Sequence, residues 1–234
     1  MCTRYEDFLV RLKEERVTRK WSQQQMGRKL RMTQSHYCKA EMGVRRFTFY
    51  EMKCLCEAQL DIYYIFTGRR CKLEYQEFYK DCTYEELKCY LAVLCPIAGY
   101  LQKKGRLDLS PDSFRKAESA PYSLAADKGE KTVFYHLRRW LDCSQQEMAE
   151  RLEVDVKKLR NLENGNVYPD SELIWKVSEE LGVPFSIILN DENGLRGEVS
   201  YFSEMIAGSA RGKMIERLRA FYGIVREKGQ GQPQ

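Results

Sequence analysis

Apolar residues recur at three- and four-residue spacing along this chain, and the elements they predict are helices throughout. Phe8, Leu9 and Leu12 mark a first helix over 5–17. Met26 and Leu30 lie on one face of a second, and Tyr37 and Ala40 on one face of a third. Thr48 opens a fourth helix with Met52, Leu55, Cys56 and Leu60 apolar. A short fifth follows over 62–66, and Gly68 stops it. Residues 84–104, YEELKCYLAVLCPIAGYLQKK, form a longer apolar helix that Pro96 is expected to kink or split. Its stripe fits either core packing or a dimer seam. Residues 105–130 mix Pro, Ser, Ala and charge with little apolar periodicity, and read as a linker with room for a short helix after Pro111.

The plan then returns. A helix over 131–140 precedes a helix pair over 144–163. Pro169 and Asp170 open a helix carrying Leu173, Ile174, Val177 and Leu181, and a short one covers 184–189. Residues 191–197, DENGLRG, read as a loop. Residues 212–228 read as a terminal amphipathic helix with Met214, Ile215, Leu218, Phe221, Tyr222 and Val225, ahead of a disordered GQGQPQ tail. The division this predicts is a first unit over 1–70, an accessory helical segment over 71–104, a linker over 105–130, a second unit over 131–195, and a C-terminal helix and tail over 196–234.

The return is a repeat in residues as well as in plan. SQQQMGRKLRMTQSHYCKAEMG (22–43) and SQQEMAERLEVDVKKLRNLENG (144–165) align without a gap at an offset of 122, with seven of 22 positions identical. Ser22 and Ser144 are placed to cap a helix, with Gln25 and Glu147 three residues on to complete a capping box. Thr33 and Asp155 cap the next helix, and Gly43 and Gly165 end it in a left-handed residue. Helix, short turn, helix at this size is a helix-turn-helix pattern.

Charge separates the two copies. Residues 1–70 hold 15 Lys and Arg against 8 Asp and Glu, a net +7, whereas residues 131–195 hold 8 against 12, a net −4. Phosphate binding needs positive charge on the contacting face, which the first copy supplies broadly and the second only through Lys157, Lys158 and Arg160. The MCTRYEDF start does not resemble a signal peptide, and the longest apolar run, 91–101, is too short to span a membrane. Nine cysteines without paired metal-ligand spacing read as small buried hydrophobes in a reduced cytoplasm, with a redox switch as the other reading. No metal or cofactor is expected, and no set of catalytic roles can be assembled, so an enzyme is not expected.

The motif SQQxM(G/A)xxL…ExG resembles the Cro/repressor, or XRE-type, helix-turn-helix family. The resemblance implies two lambda-repressor-like five-helix domains in tandem, each followed by a longer helix. It implies double-stranded DNA as partner, with the second helix of the motif in the major groove. By position the base-reading residues would be Gln34, Ser35 and Lys39 in the first copy, and Val156, Lys157 and Asn161 in the second. Gln23, His36, Arg45, Arg46 and Gln145 would meet the phosphates, with Arg19 and Lys20 as weaker candidates. The family's internal ion pair would join Arg16 to Glu41 and Arg138 to Glu163. The family often has glycine in the turn, where this chain has Arg31 and Glu153. Tyr37, Phe47, Phe49 and Tyr50 read as core rather than as a stacking platform for single strands.

Two functions follow. One is a sequence-specific regulator of transcription, with repression as its sign, reading chiefly through the first copy. The charge asymmetry favours a homodimer joined through 84–104 or 212–228, with the first copies as readers, over both readers in one chain. The other is an antitoxin or adaptor whose acidic second module binds a protein partner.

Overall fold

Serine, threonine and aspartate side chains set most of the helix starts. Ser22, Thr48, Thr83 and Ser144 each accept from the backbone N–H three residues on, and the residue there reaches back to close a capping box. Thr33, Asp61, Asp155 and Asp170 cap without the return bond. Each such cap stabilises its helix by about 1 kcal/mol.

The computed structural model describes residues 5–58, 60–125 and 131–209, together with Ala220. Among these residues there are no strands, and the helices run in the order α1 (Tyr5–Thr18), α2 (Gln23–Lys29), α3 (Gln34–Glu41), α4 (Phe49–Glu57), α5 (Ile62–Thr67), α6 (Leu73–Phe78), α7 (Tyr84–Lys103), α8 (Pro111–Ala125), α9 (Val133–Trp140), α10 (Gln145–Leu152), α11 (Val156–Glu163), α12 (Ser171–Leu181), α13 (Phe185–Leu189) and α14 (Glu192–Ser209). Helices α2, α3 and α4 start 122 residues before α10, α11 and α12.

The offset extends to the backbone. Lys20 and Asp142, Arg31 and Glu153, and Gly43 and Gly165 all have positive φ. In the turn between the paired helices φ is 55° at Arg31 and 54° at Glu153. A side chain in that conformation costs about 1–2 kcal/mol, which glycine avoids. Glycine also loosens the unfolded chain, by about 0.5–1 kcal/mol. Arg31→Gly is therefore expected to stabilise the chain by about 0.5–1 kcal/mol in urea denaturation. Glu153→Gly should gain less, because it forfeits the ion pair to Lys176 at 2.8 Å.

Helices α1–α5 and α9–α13 do not stand apart. One buried apolar cluster runs through both sets, from Phe8, Leu12 and Met52 to Ile174, Trp175 and Phe185. Phe66 stacks face to face on Phe185, with ring centres 3.8 Å apart, and lies against Trp175 at 5.9 Å and Phe8 at 5.1 Å. At the edge of this contact the Tyr5 and Ser171 hydroxyls share a 2.8 Å hydrogen bond. The Phe47 N–H donates to Ser171 Oγ at 3.0 Å, and the Ser171 N–H donates to the Phe47 carbonyl at 2.9 Å.

A second cluster lies among α7, α8 and α14, with Leu87, Tyr90, Leu91, Leu94, Ala98, Val199 and Phe202 buried. The apolar face of α7 is thus used inside the chain. Pro96 does not split this helix. It sits on the exposed face beside exposed Ala92, so the Ala92 carbonyl that it deprives of a partner can be met by water.

Two stretches depart from the sequence expectation. The expected linker over 105–130 carries α8, which packs on α7, α9 and α12 and buries Ser113, Lys116, Ala117 and Ser119. Three of these four side chains are small and only Ala117 is apolar, so the described part of this face offers no apolar stripe to read. The expected loop over 191–197 is instead the start of α14. Asp191 is buried there and accepts the Gly194 N–H at 2.7 Å. Burial pushes the Asp191 carboxyl up from its ordinary range, against hydrogen bonds from the Gly194 and Asn193 N–H groups and the Cys56 thiol. The expected helix over 212–228 and the tail lie outside the described residues. Helix α6 falls within the accessory helical segment expected over 71–104, although no separate helix was delimited there.

Two glycines mark close approaches. A Cβ on Gly197 of α14 would lie 2.5 Å from the Tyr63 side chain of α5. A Cβ on Gly182 would lie 2.6 Å from the Arg115 backbone of α8, and Gly182 also has φ of 69°.

Candidate nucleic-acid interface

Helices α2 and α3, and likewise α10 and α11, are held at a fixed angle by a buried polar cluster. Arg16 on α1 donates to Glu41 at 2.7 and 3.1 Å and to the Trp21 carbonyl at 2.8 Å. Arg138 on α9 donates to Glu163 at 2.5 and 3.4 Å and to the Cys143 carbonyl at 3.2 Å. Gln23 and Gln145 each donate a side-chain N–H to the same glutamate, at 2.8 and 2.7 Å. In the first set Tyr37 adds its hydroxyl to Glu41 at 2.8 Å. The matched residue in the second set is Leu159, which has no hydroxyl. Burial pushes the Glu41 carboxyl up, but Arg16, Gln23 and Tyr37 outweigh it and hold the carboxyl below its usual range. Gly27 allows α2 to pass the turn, since a Cβ there would already meet the Met32 carbonyl at 3.0 Å.

On this frame α3 turns Gln34, Ser35, His36 and Lys39 to solvent, while Tyr37, Ala40 and Glu41 are buried. The His36 N–H is tied to Thr33 at 3.2 Å, which fixes the first turn. On α11, Lys157 is exposed, Asn161 is half-buried, and Val156 is half-buried against the apolar cluster. Lys158 lies 3.9 Å from Asp170. Gln23 and Gln145 stand half-buried at the starts of α2 and α10. A glutamine amide has two N–H donors, so each keeps one after meeting its glutamate.

The two arginines after α3 are engaged within the protein. Arg45 pairs with Glu51 at 2.9 Å. Arg46 reaches across to the second set of helices, donating to Glu172 at 2.6 and 2.8 Å with its guanidinium 4.9 Å from the Tyr5 ring centre. Of the weaker candidates, Arg19 pairs with Glu15 and Lys20 is exposed.

Tyr50 is exposed rather than buried in the core, and Phe49 is half-buried. Both rings meet Tyr168, at 5.4 and 4.7 Å between centres. Tyr168, Ser171, Glu172 and Trp175 were not singled out from the sequence. Their only signal there was an apolar or polar residue at a helix start, and their partners lie more than 100 residues away.

The cysteines Cys54, Cys56, Cys71, Cys82 and Cys95 are buried, Cys38 and Cys143 are half-buried, and Cys89 is exposed. Burial raises the Cys71 thiol to about 12 and lifts Cys56 and Cys95 as well, so these sulfurs stay protonated and unreactive. Among the described residues no helix is long and apolar enough to cross a membrane.

A helix-turn-helix family model matches residues 135–188, which take in most of α9 and all of α10 to α12. No curated protein and no solved structure matches the chain.

Proposed function

We propose that the chain is a sequence-specific double-stranded DNA-binding regulator of transcription, acting as a repressor. Residues 5–67 and 133–189 are read as tandem domains of one type, with α3 and α11 as the helices that enter the major groove. What carries this reading is the exposed face of α3. Gln34, Ser35 and Lys39 stand in the open there, on a helix pair held by the same polar cluster that holds α10 and α11 within the family match. Glutamine can pair with the adenine edge and lysine can donate to guanine, each worth about 1–3 kcal/mol of discrimination. The remaining amide N–H of Gln23, beside the start of α2, supports a phosphate contact. Arg46 is better read as a clasp to Glu172 than as a phosphate ligand.

The test is binding to a selected duplex by fluorescence anisotropy. Gln34→Ala with Lys39→Ala is expected to lower specific affinity by about 30-fold or more, from two lost contacts of about 1–3 kcal/mol each. Lys157→Ala with Asn161→Ala should lower it by less. Equal losses from the two pairs would refute the first copy as chief reader. A shallow dependence on salt would refute the DNA reading in favour of a protein-binding adaptor, because each neutralised phosphate adds about −0.9 to the slope.

A further inference from the structure

The contact between the two sets of helices follows an approximate two-fold relation within one polypeptide. In an isologous interface, residue i meets j where the mate of j meets the mate of i. Here mates are 122 residues apart. Arg46 meets Glu172, and their mates Tyr168 and Tyr50 are also in contact. Phe66 stacks on Trp175, and their mates are Ile188 and Lys53. Lys53 donates to the carbonyl of Leu189, the residue beside Ile188, at 2.7 Å. The helices follow suit, since α4 packs on α13 while Phe66 of α5 packs on Trp175 of α12.

This contact begins directly behind each exposed helix. Arg46 lies five residues after Glu41, the last residue of α3, and Tyr168 lies five after Glu163, the last of α11. The arrangement is also clamped. Helix α8 packs on α9 and α12, and α14 packs on α5, α6 and α13. Gly197 and Gly182 bring α14 and α8 close to their neighbours, and the Cys71 thiol donates to the Gly197 carbonyl at 3.4 Å. The spacing of α3 and α11 is therefore fixed by the chain itself.

We infer that a single chain is a built-in pair of DNA readers, whose target is a bipartite duplex site with two unlike halves in inverted orientation. This rests on the reading of α3 and α11 as major-groove helices. The two-fold relation inverts the halves, and readers of this kind sit about one helical turn apart, ~10 base pairs. The halves differ because the readers differ at every matched position: Gln34 against Val156, Ser35 against Lys157, and Lys39 against Asn161. Glutamine and asparagine suit adenine, lysine suits guanine, and valine can only contact a thymine methyl. A palindrome would leave one reader on the wrong bases.

The experiment is selection of bound duplexes from a random pool with the intact chain, and mass measurement of the resulting complex. It is repeated with Gln34→Ala/Lys39→Ala and with Lys157→Ala/Asn161→Ala, all at exposed or half-exposed positions. Expected are two unlike sequence blocks, one chain per duplex, and loss of information from one block only in each double variant. A palindrome carrying two chains would overturn the inference and leave the DNA reading standing. So would a single block that is blind to Lys157 and Asn161. No enrichment at low salt would overturn the DNA reading, and the inference with it.

Discussion

Glu41→Ala is expected to destabilise the protein by about 3–5 kcal/mol, the cost of leaving a buried guanidinium without its partner. The Glu41 side chain is 3% exposed and that of Arg16 is 11% exposed, so water cannot take over the lost bonds. The substitution also strands the Gln23 amide and the Tyr37 hydroxyl, which share the same carboxylate. Glu163→Ala should cost less, because Leu159 stands where Tyr37 donates in the first set and one Arg138 bond is long, at 3.4 Å. Urea denaturation of both variants measures the difference, and a larger loss at Glu163 would contradict it. The pH dependence has a fixed sign. Glu41 titrates lower in the folded chain than in the unfolded one, so its contribution is complete above the unfolded value. It is lost as pH falls through the folded value. Glu41→Gln should therefore lose most of its deficit relative to wild type in acid.

Phe66→Ala is expected to cost about 3–5 kcal/mol, the range for emptying a buried aromatic position. The ring is 4% exposed and lies among Phe185, Trp175 and Phe8. Two of those neighbours belong to the second set of helices, so the damage should cross between the sets. Amide exchange is expected to speed up in α12 and α13 as well as in α1 and α5. Acceleration confined to α1–α5 would show that the two sets are energetically separate. Phe66→Leu fills part of the space and should lose less than half as much.

The short-range parts of the fold were legible in the sequence. Caps at Ser22, Thr33, Ser144 and Asp155 act on backbone three residues away, so the residues that decide them are adjacent in the chain. The pairing of Arg16 with Glu41 was also within reach, because the family pattern relates those positions across 25 residues. Helix α8 was legible only as room for a short helix after Pro111, not as a 15-residue packed element. Among its described side chains the buried ones are Ser113, Lys116, Ala117 and Ser119, whose composition matches a flexible segment. Lys116 is buried only because Glu198, 82 residues away, meets it at 3.0 Å. The partner of Arg46 was hidden for a similar reason. A basic residue after the third helix reads as a phosphate ligand from sequence, and nothing local to it announces Glu172, 126 residues on. The helices of the two repeated units are written in local residue patterns, whereas their partners appear only once the chain is packed.

Pro169 spoils the two-fold contact at one point. Its mate Phe47 donates its N–H to Ser171, and proline has no N–H to return the favour. Nor would two copies of the first set suit one another, since Arg46 would face Tyr50 instead of Glu172. The two surfaces have become lock and key, and each finds its complement a fixed length of chain away. Intramolecular tethering of this kind keeps the effective concentration of the partner high whatever the amount of protein. Dilution cannot take such a pair apart. A regulator assembled from separate subunits falls away steeply once its concentration drops below that of subunit exchange, giving a sigmoidal dose response. If α3 and α11 are the built-in pair of readers inferred above, the response of this chain to copy number is expected to be graded, one molecule at a time.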